Sequence, residues 1–121
     1  KSETKRAMIA FSRNNVVGVI IYQRHKKDID TLELKNLTVR PDVRGRHIAS
    51  FLLRNAEVEG IKDFNTRYIT CDSKADNLAI RYFLLKNQYK IVGKDDLYEL
   101  NSGTDLIYRK NVSGKFLSDR F

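Results

Sequence analysis

The chain has 121 residues, enough for one domain and one core, and its 41% hydrophobic content supports globular packing rather than disorder. Twenty-three Lys and Arg stand against fifteen Asp and Glu, a net charge of +8, so polyanions such as nucleic acid, an anionic membrane or a phosphorylated ligand are attracted. No apolar run approaches the ~20 residues that span a bilayer, and Lys1 to Arg6 lack the apolar stretch of a secretory signal. The lone Cys71 forms no internal disulfide and no metal framework, which points to a reducing, cytoplasmic setting.

The first ordered run is Ala7 to Phe11. The polar stretch Ser12-Arg13-Asn14-Asn15 separates it from a second run, Val16 to Tyr22. Two β-rich runs around a short Asn-containing turn predict an antiparallel hairpin. After the charged turn from Gln23 to Asp30, a third strand spans Thr31 to Val39 and alternates Leu32 and Leu34 with Glu33 and Lys35. Pro41 ends it. A loop, Asp42 to Arg46, leads into a helix whose Ala49, Leu52, Leu53, Ala56 and Gly60 share one face. The small residues at 49, 56 and 60 allow that helix to lie close to a sheet.

A strand follows from Arg67 to Cys71. Asp76-Asn77 can cap a second helix that runs to about Asn87. Tyr89 to Val92 begins a further strand. Leu97 to Leu100 and Leu106 to Tyr108, split by Asn101-Ser102-Gly103, suggest a final hairpin, and 111–121 reads as a tail of a single domain covering 1–121. The order β-β-β-α-β-α-β-β implies an α+β fold, a mixed sheet with helices packed on it.

The segment Leu37 to Ala49 joins strand, proline, basic glycine-containing loop and helix. A helix start offers unpaired N–H groups and the positive end of its dipole, an arrangement suited to pyrophosphate. Gly45 lets the backbone turn, Arg44 and Arg46 add charge, and Ala49 is small enough for a ligand to approach. Val39, Pro41, Arg44, Gly45 and Ala49 stand where the GNAT acetyltransferase superfamily carries V-x-P-x-x-[RQ]-G-x-G-x-[GA], so the segment resembles that family's CoA-binding loop. His47 departs from the family's glycine. Its amide can still serve if its φ is negative. On the later helix Asn77, Phe83, Lys86 and Tyr89 match N-x-x-A-x-x-F-Y-x-K-x-G-F, while Ile80, Leu84 and Gln88 replace the alanine, tyrosine and glycine. Read by itself, that helix is an ordinary amphipathic one with Ile80, Phe83, Leu84 and Asn87 on one side. The resemblance covers roughly Val16 to Tyr108.

The resemblance implies acetyl-CoA as cosubstrate and an N-acetyltransferase activity on an amine. Backbone groups of Leu37, Thr38 and Val39 would pair with the pantetheine arm. Arg44, Gly45, Arg46, His47, Ile48 and Ala49 would hold the pyrophosphate, and Asn77 would contact the lower part of CoA. The thioester would enter where the third strand parts from the strand after the helix, and transfer would be direct, with a third-strand N–H stabilising the oxyanion. Glu33, eleven residues before Arg44, would be the general base, or else an exposed carboxylate paired with Lys35 or another cation. Leu84 stands where many relatives have a proton-donating tyrosine. Tyr82 falls on the opposite helix face, which leaves Tyr89 and Tyr98 as other donors. His25 reads as solvated, and Cys71 as a small core residue or, alternatively, a nucleophile.

Relatives begin with a strand and two helices ahead of this hairpin, and those helices wall the acceptor cleft. Here they are expected to be missing or shortened, in an excised, processed or naturally short chain, with the acceptor half incomplete or supplied by a partner. An oligomer is compatible with this. A non-catalytic CoA-binding or protein-interaction module is the rival that His47, Leu84 and Gln88 favour. A nucleic-acid-binding domain is a third reading, carried by charge alone and lacking a recognisable reader element.

Overall fold

The computed structural model describes residues 5–95 and 103–113. Strands β1 (Lys5–Ser12) and β2 (Asn15–Arg24) form the expected hairpin. The turn residues are Arg13 and Asn14, at φ 51° and 69°. Two left-handed residues make the turn whose twist matches that of paired strands. β3 (Thr31–Val39) pairs antiparallel with β2. A 3-10 turn at Pro41–Val43 then leads to α1 (Ile48–Phe64), β4 (Tyr68–Lys74), α2 (Leu78–Lys86), β5 (Lys90–Asp95) and β6 (Asp105–Asn111). The described strands form one six-stranded sheet in the order β1-β2-β3-β4-β6-β5, in which β3 and β4 are parallel and all other neighbours antiparallel.

Leu97 to Leu100, expected as one arm of the last hairpin, lie outside the described residues; β6 pairs with β5. In the stretch read as a tail, Asn111 ends β6 and Val112 is fully buried, its N–H bonded to Arg67 O at 2.8 Å.

One face of the sheet carries Ile20, Tyr22, Leu32, Ile69 and Tyr108, packed against Leu52, Leu53 and Ala56 of α1 and Leu84 of α2. Each fully buried Leu or Ile of this kind contributes roughly 1.5–3 kcal/mol. The small positions on α1 have the expected effect. A methyl on Gly60 would come within 2.8 Å of Leu32 Cδ2, and one on Gly18 of β2 within 3.0 Å of Leu52 Cδ1. The close approach fixes α1 across β2 and β3. Asn65 closes α1 in the left-handed conformation, its N–H bonded to Ile61 O. Asn77 Oδ1 caps α2 by accepting from Ile80 N at 3.1 Å.

The core also holds a polar cluster that hydrophobic patterning does not reveal. Glu57, on the buried stripe of α1 and 1% exposed, accepts from Tyr89 Oη at 2.8 Å and from Lys110 Nζ at 3.0 and 3.1 Å. A buried charge needs such partners. Together they tie α1 to β6 and to the start of β5. Among the described residues no helix is long and apolar enough to cross a membrane.

Candidate active site

The site begins with an irregularity in β3. Its paired residues step from Leu34 to Asn36 as their β2 partners step from Tyr22 to Ile21, so Lys35 is an extra residue, a β-bulge. The extra residue re-phases the strand. Leu34 and Leu37, three apart, both pack on the core, which a regular two-residue period forbids. The bulge also bends β3 away from β4. The two strands pair at Thr31–Tyr68, Leu32–Ile69 and Glu33–Thr70, and then part. Beyond Glu33, the β3 N–H and C=O groups that point toward β4 face a cavity of about 280 Å³ instead of a neighbouring strand. Leu37 and Thr38 line it on one side, Cys71 and Asp72 of β4 on the other, and Asn77, Ile80 and Leu84 at the α2 end.

A second cavity, about 250 Å³, continues along the end of β3. It is lined by Val39, Arg44, Gly45, His47, Ile48 and Ala49, with Phe83 and Lys86 of α2 opposite. The predicted phosphate-loop residues therefore converge on one cavity, apart from Arg46, which is exposed beside it. Phe51 N makes the first main-chain bond of α1, to His47 O, so the N–H groups of Ile48, Ala49 and Ser50 precede the helical ladder. No side chain caps this end. Arg44 folds back through Nε to Val39 O at 3.2 Å, leaving its outer nitrogens for other partners. Lys86 adds a cation that the loop motif does not contain.

His47 corrects one expectation. Its φ is +65°, not negative, and Gly45 sits at +85°. The backbone at 47 is therefore in the left-handed region that glycine takes most readily, despite the imidazole. A left-handed residue followed by right-handed helix turns successive N–H groups into one concavity, an anion-binding arrangement. Gln88, the other glycine replacement, also has a positive φ, +76°.

The reactive groups divide among three places. Leu84 lines the groove, so the side chain that replaces the usual tyrosine does face it. Tyr82 is 69% exposed, on the other side of α2. Tyr89 is not free to act as a donor. It is 1% exposed, its hydroxyl is committed to Glu57, and burial together with that carboxylate raises its pKa. Tyr98 lies outside the described residues. Cys71 lines the groove, but desolvation, with Asp72 adding to it, pushes its thiol up to about 12, so it is protonated at neutral pH and a poor nucleophile. Asn77 also borders the groove; with Oδ1 used as the cap of α2, it offers its amide N–H groups.

Glu33 stands apart from the groove cavity. It occupies the last paired rung before β3 and β4 separate, accepts from Gln23 Nε2 at 3.3 Å, and lines a third cavity of about 750 Å³ with Lys5, Arg24, His25, Lys26 and Lys35. Lys35, the bulge residue, borders both that cavity and the groove.

The family model described as the acetyltransferase (GNAT) domain matches residues 3–99, most of the chain. The chain belongs to the GNAT acetyltransferase family. Solved GNAT-fold structures superpose on it closely. A Bacillus anthracis protein assigned as a streptothricin acetyltransferase, solved with acetyl coenzyme A, aligns with TM-score 0.82 and 21% identity over 91% of this chain; the chain spans 64% of that protein's length. A GNAT family acetyltransferase from Elizabethkingia anophelis, with acetyl-CoA bound, gives TM-score 0.79 and 14% identity over 89% of this chain and 76% of its own. The Escherichia coli ribosomal-protein-S18-alanine N-acetyltransferase gives 0.77 and 17%, over 93% and 72%. At these identities the likeness establishes the GNAT fold. No curated protein matches the chain by sequence.

Proposed function

We propose that this GNAT domain is an acetyl-CoA-dependent N-acetyltransferase. The observation that carries the reading is the parting of β3 from β4 after three rungs, which opens a groove that ends at Thr38, one residue before the cavity at the start of α1. Strand edge, loop and helix start suit a long ligand with an amide-bearing arm and a pyrophosphate. Leu37, Thr38 and Val39 would pair with the arm. Arg44, Gly45, His47, Ile48 and Ala49 would hold the pyrophosphate, with Arg46 adding charge from outside, and Asn77 would donate to the lower part of the cosubstrate. Bound acetyl-CoA supplies an activated acetyl thioester.

In this reading Glu33 takes the proton of the acceptor amine, directly or through water, and a backbone N–H of β3 past the bulge stabilises developing oxyanion charge. The protonated Cys71 thiol supports direct transfer over relay through the enzyme. A lone thiol and the source of the cosubstrate fit a cytoplasmic location. The second reading, a CoA-binding module without catalysis, is favoured by one observation: a leucine, without a proton to give, faces the groove at position 84.

The test is ligand-induced stabilisation combined with thiol release. A ligand bound only to the folded state adds RT ln(1 + [L]/Kd), ~2.7 kcal/mol at a hundredfold excess over Kd. Acetyl-CoA should raise Tm in the wild type and not in Ala49→Leu, whose side chain fills the phosphate cavity. Equal shifts in both would overturn the placement of the site. Leu84→Tyr should raise acetyl transfer by up to ~10²-fold with CoA affinity little changed, since the gain lies in the transition state. If CoA binds normally, yet neither protein releases thiol with any amine, the second reading replaces the first.

A further inference from the structure

We infer that the acceptor carries an anionic group, a carboxylate or a phosphate, beside its amine, and that the cationic cavity around Glu33 holds that group. The inference rests on the acetyltransferase reading and specifies its second substrate.

The cavity lies on the far side of the bulge from the phosphate loop. Among the described residues its lining holds the cations Lys5, Lys26 and Lys35, with Arg24 at its border, and one carboxylate, Glu33. They come together because of strand register. Lys5 of β1 pairs with Gln23 of β2, and Gln23 pairs with Glu33 of β3, so one row across three strands puts the lysine and the carboxylate on the same face with Gln23 between them. Arg24 borders the cavity but turns its guanidinium to the other face of the sheet, over the Phe64 ring at 5.6 Å, so the cavity's own cations are the lysines.

His25 also lines the cavity. Its Nδ1 accepts the N–H groups of Lys27 and Asp28, both at 3.1 Å, which fixes the ring against its own turn. Asp28 and Asp30 belong to the same turn but do not line the cavity.

A site of this sign selects substrates in two ways. It attracts carboxylate and phosphate groups and repels polycations such as polyamines. It also disfavours the ammonium form of a bound amine, because nearby positive charge lowers an amine's pKa. The amine must lose that proton before it attacks, and Glu33 borders the same cavity to receive it. Lys35 borders both cavities, which places the anion-holding side chains next to the opening through which the acetyl group is reached.

The experiment compares matched acceptors by thiol release from acetyl-CoA: phosphoethanolamine against ethanolamine, amidated Gly-Glu against amidated Gly-Gln, and spermidine as the polycation. The anionic member of at least one pair should have kcat/KM roughly tenfold or more above its neutral partner, with spermidine lowest and the advantage shrinking in high salt. Which pair shows the gain distinguishes phosphate from carboxylate. Lys26→Glu should erase most of the advantage while the Kd for CoA stays unchanged, and Lys26→Gln is the second variant should the first misfold. Thiol release that is equal within both pairs, or fastest with spermidine, overturns the inference and leaves the acetyltransferase reading standing. If CoA binds but no amine releases thiol, that reading fails. Equilibrium binding of phosphoethanolamine and of amidated Gly-Glu to the CoA complex then decides: binding of either that Lys26→Glu abolishes keeps the anion site, and binding of neither removes it.

Discussion

His47 and Gln88 each carry a β-carbon in a left-handed backbone, at φ 65° and 76°, where the resembling motifs place glycine. A left-handed L-residue is disfavoured by roughly 1–2 kcal/mol, and glycine's greater freedom in the unfolded chain takes back about 0.5–1. His47→Gly and Gln88→Gly should therefore each stabilise the protein by about 0.5–1 kcal/mol, measured as a higher urea midpoint at constant m value. A loss of stability at 47 would mean that the imidazole makes compensating contacts. The two departures look like motif decay when the letters alone are compared. In space both residues hold a backbone conformation that glycine takes most readily. Residue identity reports this poorly: φ is set by the whole loop, and histidine and glutamine are permitted, at a cost, where glycine is preferred.

The elements were largely legible from periodicity. Leu52, Leu53, Ala56 and Gly60 give α1 its sheet-facing stripe, and Asn77 marks the start of α2. What sequence did not show was the bulge at Lys35, since strict alternation through Glu33 and Lys35 reads as a regular strand. Yet the bulge directs Leu37 to the core and parts β3 from β4. Nor did it show the role of Glu57, which falls on the apolar stripe but is charged. Only the pairing of distant elements supplies Lys110 and Tyr89. That cluster yields a prediction about how α1 is attached to the second half of the sheet. Glu57→Leu leaves the Lys110 ammonium buried without its counter-charge and should cost ~3–5 kcal/mol. Lys110→Met should be comparably harmful. The double variant should cost clearly less than the sum, because neither charge is then left alone. Strict additivity in denaturant melts would show that the pair does not interact as the geometry requires.

At the scale of the whole molecule, the groups with raised pKa set the alkaline limit of stability. Cys71 moves from an ordinary 9.0 to about 12, and Tyr89 rises above its ordinary 10.0. Below pH 9 both are protonated in the folded and unfolded states. As pH rises through 9 and 10, the unfolded chain loses these protons while the folded one keeps them. Unfolding then releases protons, and stability falls by up to about 1.4 kcal/mol per pH unit per group. For Cys71 the decline ends near pH 12. The urea midpoint, measured under reducing conditions, should be flat from pH 7 to 8.5 and drop above 9, and Cys71→Ala should flatten the first part of that drop. An unchanged slope in that variant would show that the thiol is not shielded. The three rungs between β3 and β4 have a consequence of a different kind, for the order of folding. Strands β1 to β3 are consecutive meander neighbours within 5–39, and β4 to β6 find one another within 68–111. Each half can gain its ladder from contacts near in sequence, where loop closure is cheapest. The parallel seam, three residue pairs joined across a longer stretch of chain and tied through Glu57 of α1 to Lys110 and Tyr89, is expected to form last. A chain stalled before that step would hold two formed half-sheets, each with an open edge, and the seam that is closed in the finished molecule would be the place where two such chains stick together.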